Sequence, residues 1–392
     1  MSRCLIYGGS FNPPHLGHVQ AFAAAREHLQ PERSLIIPSR VPPHKELAAG
    51  SPDSEERLAL TKLAFAAFPE AEVSDLELRR EGVSYTALTL TELHERFPEE
   101  EFFFLMGTDM FLTLESWYDY RTVLSLCTPI VLTREEGEEA AVRVQAEHLR
   151  EAYGLCAIVL PRAPLPMSST ELRADLRERC GRHKLTEAVY ERIIQKRHYG
   201  ARPELEWLRE RAYAMLKPRR IPHVAGCEET ARALALHWGE DADTAAEAAI
   251  LHDITKKLTA EEQLRLCAEY GIMTDDAERD NTELLHAKTG AALARALFGV
   301  DDAVYQAIFR HTTGSAGMTR LEKIIYPADA VEPTRSYEGV EVLRECALRD
   351  LDEAMIMSLQ RTIDYVAQRG GDVHVQSRTA LHWFLNQKEV SE

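Results

Sequence analysis

The sequence predicts two folds in succession: an α/β doubly wound parallel sheet over residues 1–200, then an all-α domain over residues 203–392. Three observations carry this. The chain has 392 residues, more than one ordinary core serves. Short apolar runs alternate with amphipathic stretches in the first part, which is the pattern of strands and crossover helices. From about Pro203 onward convincing strand runs stop and helical periodicity takes over.

In chain order, the strand runs are Cys4–Tyr7, Leu35–Pro38, Glu72–Leu76, Phe102–Met106, Pro129–Thr133 and Ala157–Leu160. Amphipathic stretches such as Glu55–Phe68, Ala87–Phe97 and Ala140–Tyr153 lie between them. Ligands of such sheets sit beyond the carboxyl ends of the strands, where strand order reverses. The polar segment Gln195–Pro203 ends in helix breakers and is the expected linker. Helical periodicity then runs through Leu205–Met215, Glu228–Trp238, Ala242–Leu251, Leu284–Leu297, Ala303–His311, Leu321–Ala330 and Asp350–Gln368. No internal repeat or low-complexity tract interrupts it.

Composition narrows the function. Hydrophobic residues at 45% and charged residues at 28% are those of a soluble globular protein. A formal net charge of −17 argues against a general nucleic-acid binder, whose footprint is a basic face. Small phosphorylated ligands stay open, because local cations and helix N-termini can hold them inside an acidic protein. No segment has the apolar length of a membrane helix. The opening enters a Gly-rich turn by Gly8, which leaves no room for a signal peptide, and the seven cysteines form no CxxC. A reduced, cytoplasmic protein is the expectation. Its oligomeric state, a homo-oligomer included, is open.

The strongest local signal is Gly8-Gly9-Ser10-Phe11-Asn12-Pro13-Pro14-His15-Leu16-Gly17-His18, between an apolar strand and a helix through Ala21–Leu29. The glycines let backbone approach a ligand. His15 and His18, three apart at a helix start, point the same way, beside free backbone N–H groups that suit a polyphosphate. Near the domain's end, Ser168-Ser169-Thr170-Glu171-Leu172-Arg173 caps another helix and sets Arg173 one turn in, toward an anion. Alone, the first motif could be a Gly-Pro turn with incidental histidines and the second an ordinary N-cap. Together they are similar to the signature of the nucleotidyltransferase superfamily, which implies a Rossmann-like fold.

Within that superfamily the first 200 residues resemble bacterial nicotinate-nucleotide adenylyltransferase. Pro42-Pro43-His44-Lys45, Ser84-Tyr85-Thr86, Gly107-Thr108-Asp109 and Trp117 match its substrate-side words, while Leu88 and Tyr120 depart from them. The resemblance implies in-line attack of the mononucleotide phosphate on the α-phosphate of ATP. Gly8, Gly9, Ser10 and Phe11 would form the ATP loop, with His18 on the α-phosphate and His15 on its neighbours. Ser169, Thr170 and Arg173 would hold the departing pyrophosphate. Lys45, Ser84, Tyr85, Thr86, Gly107, Asp109, Trp117 and Arg134 would contact substrate. Lys45 and Arg134 read equally as surface charges, and Trp117 as a core aromatic. Mg²⁺ would arrive with ATP, bound through phosphate and water.

In the helical half, His223, His252-Asp253, His286, His311 and Asp329 lie on or near helices. Imidazoles and carboxylates suit a transition metal, and six suit two ions. Lys256, one turn beyond the pair, could add charge toward a phosphate. Any single histidine here is more often a core or surface residue. The ordered series, with Arg220-Ile221-Pro222-His223, His311-Thr312-Thr313-Gly314 and Asp329-Ala330-Val331-Glu332-Pro333-Thr334-Arg335, resembles the HD phosphohydrolase superfamily. Its local words resemble the YqeK-type family, which hydrolyses diadenosine tetraphosphate symmetrically to ADP. That resemblance implies a di-iron or related dinuclear centre with Asp253 as bridge, and Arg335 as a phosphate contact. Ligand type alone accepts iron, manganese and zinc alike.

Rival readings exist for both halves. A pantetheine-phosphate type of transferase is disfavoured by the FNPP opening and the PPHK loop. The helical half could be a mononucleotide phosphohydrolase, or a non-catalytic module that senses a nucleotide. A cyclic-dinucleotide phosphodiesterase is disfavoured by the absence of a GYP triplet.

Overall fold

The computed structural model describes residues 2–43, 47–133, 137–160 and 167–391. The chain divides into two compact units, Met1–Arg202 and Pro203–Glu392.

All six strand runs of the first unit form one parallel sheet: β1 (Ser2–Gly9), β2 (Arg33–Pro38), β3 (Glu72–Val73), β4 (Glu100–Gly107), β5 (Cys127–Leu132) and β6 (Ile158–Leu160). The order is β3-β2-β1-β4-β5-β6, so the chain winds outward in both directions from the β1–β4 pair. That pair is the topological switch point, where such sheets bind ligands. Both faces of the central strands are covered, which is why Cys4–Ile6 and Phe102–Met106 are continuous apolar runs rather than alternating ones. The third strand is shorter than the sequence suggests. It lies at the sheet edge with a single neighbour, and beyond Val73 a one-turn helix, Leu76–Arg79, turns Leu76 into the core.

The segment expected to be a linker is largely part of this unit, which corrects the sequence reading. Helix Glu187–Lys196 ends at Arg197, whose φ of 51° is left-handed, and Tyr199 then packs inside at 1% exposure. The Tyr199 hydroxyl donates to Asn12 Oδ1 at 2.9 Å, and its N–H donates to the Gly50 carbonyl at 2.9 Å. Polarity suggested a loop, but one buried aromatic anchors it.

The second unit contains only helices and turns among its described residues. The sequence-legible helices are present, and helix Ile221–Trp238 starts two turns earlier than the apolar pattern indicates, with Pro222 in its first turn, where a missing N–H costs nothing. Helices Ala260–Glu269, Val340–Arg349 and Val375–Ser391 were not foreseen. The first carries a legible signal, the capping box of Thr259 with Glu262. Helix Ala242–Leu251 is buried nearly all round, with Ala245 through Leu251 inside. It therefore delivers His252 and Asp253 into the interior, at 1% and 0% exposure.

Candidate active sites

In the first unit, β1 runs into the Gly8–Pro14 turn and His15 caps helix Leu16–Leu29. The His15 N–H donates to His18 Nδ1 at 3.1 Å, and the two rings lie 3.7 Å apart between centroids. Gly17 suits this packing: a Cβ there would press on the His15 ring at 3.0 Å. The SSTxxR helix lies directly on the same turn. Arg173 Nη1 donates to the Asn12 carbonyl at 2.7 Å and Nη2 to Thr170 Oγ1 at 3.1 Å, while Ser169 Oγ donates to the Pro13 carbonyl at 3.3 Å. Two motifs some 150 residues apart thus share one cradle, with a span of 161 positions between Asn12 and Arg173. A cavity at the carboxyl ends of β1 and β4 is lined by Tyr7, His15, His18, Met106, Gly107 and Met167.

The substrate-side words are gathered less completely. Ser84 is buried, and its Oγ accepts from the Arg40 N–H at 3.0 Å. Tyr85 stacks on Tyr118 with centroids 4.4 Å apart, and Thr86 begins helix Thr86–Arg96. Gly107 closes β4, and Asp109 is exposed one residue into the following short helix. Trp117 belongs to the hydrophobic core at 7% exposure, edge-on to Phe104, whereas Tyr118 is the exposed aromatic beside Tyr85. Phe11 is likewise interior, so the Gly-rich turn offers only its backbone there. Lys45 and Arg134 lie outside the described residues.

Arg57 was missed by sequence reasoning. It is fully buried on the inward face of helix Ser54–Ala64, together with Leu60, Thr61 and Ala64. Its guanidinium donates to the Ser10 carbonyl and to the Arg40 carbonyl, both at 2.8 Å, and so ties the Gly-rich turn to the start of the Pro42-Pro43 loop. Burial lowers its pKa from the ordinary arginine value. The available signal was a charge on the apolar stripe of a helix.

In the second unit all six predicted metal residues converge. Asp253 sits at the middle: Oδ2 lies 3.8 Å from His223 Nε2 and 3.5 Å from His252 Nε2. Oδ1 lies 3.3 Å from His286 Nε2 and 3.9 Å from His311 Nε2. Asp329 Oδ1 is 3.1 Å from His223 Nε2. Each imidazole is fixed through its other nitrogen. Nδ1 of His252 donates to the Ala249 carbonyl at 2.6 Å, that of His311 to Ile308 at 2.6 Å, and that of His286 to Glu283 at 2.5 Å. His223 Nδ1 donates to Glu332 Oε1 at 3.0 Å. Carbonyl acceptors fix the tautomer, so the Nε2 lone pairs face the centre, the arrangement metal-binding histidines require.

The electrostatics agree with a cation site. Burial, with His286 and His252 beside it, pushes the His311 imidazole down to about 3, which keeps it neutral. Burial opposes ionisation of Asp253, yet His252 and His286 hold its carboxyl well below the usual range. His252 Nε2 and Asp253 Oδ1 are buried without a hydrogen-bond partner, and such atoms are costly unless something else satisfies them. Lys256 Nζ stands 3.2 Å from His286 Nδ1. Arg335 donates to Asp329 Oδ1 at 2.8 Å and to the Asp329 carbonyl at 3.0 Å, and so holds that carboxylate in place. Arg220, not singled out from sequence, reaches Asp253 Oδ2 at 2.5 Å. Glu332, fully buried, orients His223.

A nucleotidyltransferase joined to an HD domain is the class this fold and these sites define. A cytidylyltransferase-like family model matches residues 6–175, and an HD-domain model matches residues 220–334. A protein of Shewanella sediminis named a probable nicotinate-nucleotide adenylyltransferase is 33% identical over 185 residues, 44% of this chain and 86% of that protein. One of Mycoplasma pneumoniae, named a probable nicotinate-nucleotide adenylyltransferase/Ap4A hydrolase, is 26% identical over 370 residues, 92% of this chain and 98% of that protein. A Clostridium acetobutylicum crystal structure, described as a predicted HD superfamily hydrolase involved in NAD metabolism, is 36% identical with a TM-score of 0.45, covering 46% of this chain and 97% of that one. The chain belongs to the nicotinate-nucleotide adenylyltransferase family, with an HD domain following the transferase. HD domains bind divalent metal, and here the ligand atoms of His252, Asp253 and His311, and those of His223, Cys227, His252 and Asp329, lie close enough together to hold an ion. Among the described residues no helix is long and apolar enough to cross a membrane.

Proposed function

We propose that the chain is a bifunctional nucleotide enzyme whose catalytic parts are residues 1–200 and 203–392. The first transfers the adenylyl group of ATP to nicotinate mononucleotide, giving deamido-NAD and pyrophosphate. The second splits diadenosine tetraphosphate with one water into two ADP. The observation that carries the reading is the pair of assembled sites in one chain: the HxGH turn braced by Arg173, and the six-residue cluster centred on Asp253. A full-length relative whose name carries both activities supports it.

In the transfer, a phosphate oxygen of the mononucleotide attacks the α-phosphorus and the bond to the bridging oxygen of the β-phosphate breaks. No protein nucleophile is needed; positioning and charge stabilisation supply the rate. His18 and His15 donate toward the α-phosphate and its neighbours, while Ser169, Thr170 and Arg173 receive the pyrophosphate. Mg²⁺ enters with ATP. Ser84, Tyr85, Thr86, Gly107 and Asp109 face the nicotinate nucleotide, and Lys45 and Arg134 add phosphate contacts. In the hydrolase, His223, His252, Asp253, His286, His311 and Asp329 hold two ions of iron, manganese or zinc. Such a centre supplies an activated water and neutralises the phosphate under attack. Lys256 adds positive charge on the His286 side.

The test is anaerobic purification of the full chain, metal analysis, and assays on one preparation. We expect a higher kcat/KM for nicotinate mononucleotide than for its amide, because amidation leaves carboxylate-binding donors poorly paired. ADP should be the sole nucleotide product from diadenosine tetraphosphate. Equal or better use of the amide ends the first assignment. A fully metal-loaded protein that splits no dinucleoside polyphosphate ends the second, and leaves a mononucleotide hydrolase or a nucleotide-sensing module.

A further inference from the structure

Helix Ile221–Trp238 contributes His223 to the cluster and, one turn later, Cys227, at 2% exposure. Side chains four apart share a helix face, and Cys227 Sγ lies 3.4 Å from His223 Nε2. Ligand atoms of His223, Cys227, His252 and Asp329 all fall within 4.8 Å of one another. Nitrogen and sulfur ligands sharing one tetrahedral ion, at about 2.1 and 2.3 Å from it, stand about 3.6 Å apart. The His252 Nε2 that points into this group is buried without a hydrogen-bond partner.

We infer that Cys227 is a metal ligand, so that the ion beside His223 and Asp329 sits in a sulfur-containing site while the ion beside His286 and His311 has only nitrogen and oxygen. The two positions are therefore chemically unequal: the thiolate side favours softer ions such as zinc or ferrous iron, and the other side also accepts harder ones such as manganese. Without a cation, burial and the carboxylates of Asp329, Glu332 and Asp253 keep the thiol protonated. Binding replaces the S–H bond by a sulfur–metal bond and releases one proton to solvent, with no change of oxidation state.

This rests on the cluster being a dinuclear centre, and the experiment separates the two ideas. The full-length protein is stripped of metal and reconstituted anaerobically with Co²⁺, and the ions bound are counted. A near-ultraviolet sulfur-to-cobalt charge-transfer band should appear as the first ion enters. Cys227→Ser and Cys227→Val should lose that band, keep visible cobalt bands from the other position, and bind the ion at the His223 side roughly 10- to 100-fold more weakly. Cobalt bound at two sites with no thiolate band, or a band that survives in Cys227→Val, overturns the Cys227 assignment alone. A protein that takes up no divalent ion overturns the dinuclear reading as well. If Cys227→Val does not fold, the wild-type spectrum and Cys227→Ser decide the matter.

Discussion

His18 does two things with one ring. Its Nδ1 accepts the His15 N–H, closing a capping box at the start of helix Leu16–Leu29, and its edge faces the cavity at the β1–β4 switch point. His18→Ala therefore removes a cap, costing about 1 kcal/mol of stability, and a donor to developing charge. We expect kcat for adenylyl transfer to fall roughly 100-fold or more with the fold retained; a well-folded variant with near-normal kcat makes the ring structural only. This residue and its partner were legible from the HxGH word. Arg57 was not, because an arginine in an amphipathic helix reads as solvated surface until its two carbonyl partners are seen.

Helices position the chemistry, and two contacts between elements show how. Gly226 lies inside helix Ile221–Trp238, where alanine would ordinarily stabilise by about 1 kcal/mol. Here a Cβ would meet Glu332 Oε2 at 2.6 Å and Pro333 Cδ at 3.1 Å. Glu332 also accepts from His223 and from the Thr334 N–H, so it cannot swing aside freely. Gly226→Ala should lower the melting temperature and speed metal loss to a chelator; a more stable variant with unchanged retention contradicts this packing. In the first unit, helices Ser54–Ala64 and Glu187–Lys196 are joined by Arg192, which donates to both oxygens of Glu56 at 2.7 and 2.9 Å, with His198 at 3.2 Å. The Arg192 hydrogen bonds, against some burial, lower the Glu56 pKa from its ordinary 4.5. A depressed carboxyl contributes stability above its unfolded pKa and loses it as pH falls through the folded value. Glu56→Gln should thus cost about 1 kcal/mol at neutral pH and less in acid. Urea titrations at both pH values check it, and an equal deficit at each would be inconsistent with an ionic origin.

At the scale of the whole molecule, each site draws its described side chains from a single unit. Asp253→Ala should abolish metal binding and dinucleotide hydrolysis while leaving adenylyl transfer intact, since the HxGH and SSTxxR words lie before Arg202. A parallel fall in transfer means the two activities are coupled.

By itself the sequence determined the succession of folds, the six strands, most helices and the motif residues at both sites. Those features are set by short-range chemistry: β-type apolar runs, helix periodicity, caps and turns within a few positions of each other. It did not determine the reach of the first unit through Tyr199, nor that Trp117 belongs to the core beside an exposed Tyr118. It picked out neither Arg57 nor Cys227, and it placed Arg220 and Glu332 in the HD-type words without showing that they reach Asp253 and His223. Only tertiary structure decided these, because each depends on a distance between residues far apart in the chain, as with His223 and Glu332, 109 positions apart. Such distances follow from how whole helices and strands pack, and no local preference encodes them.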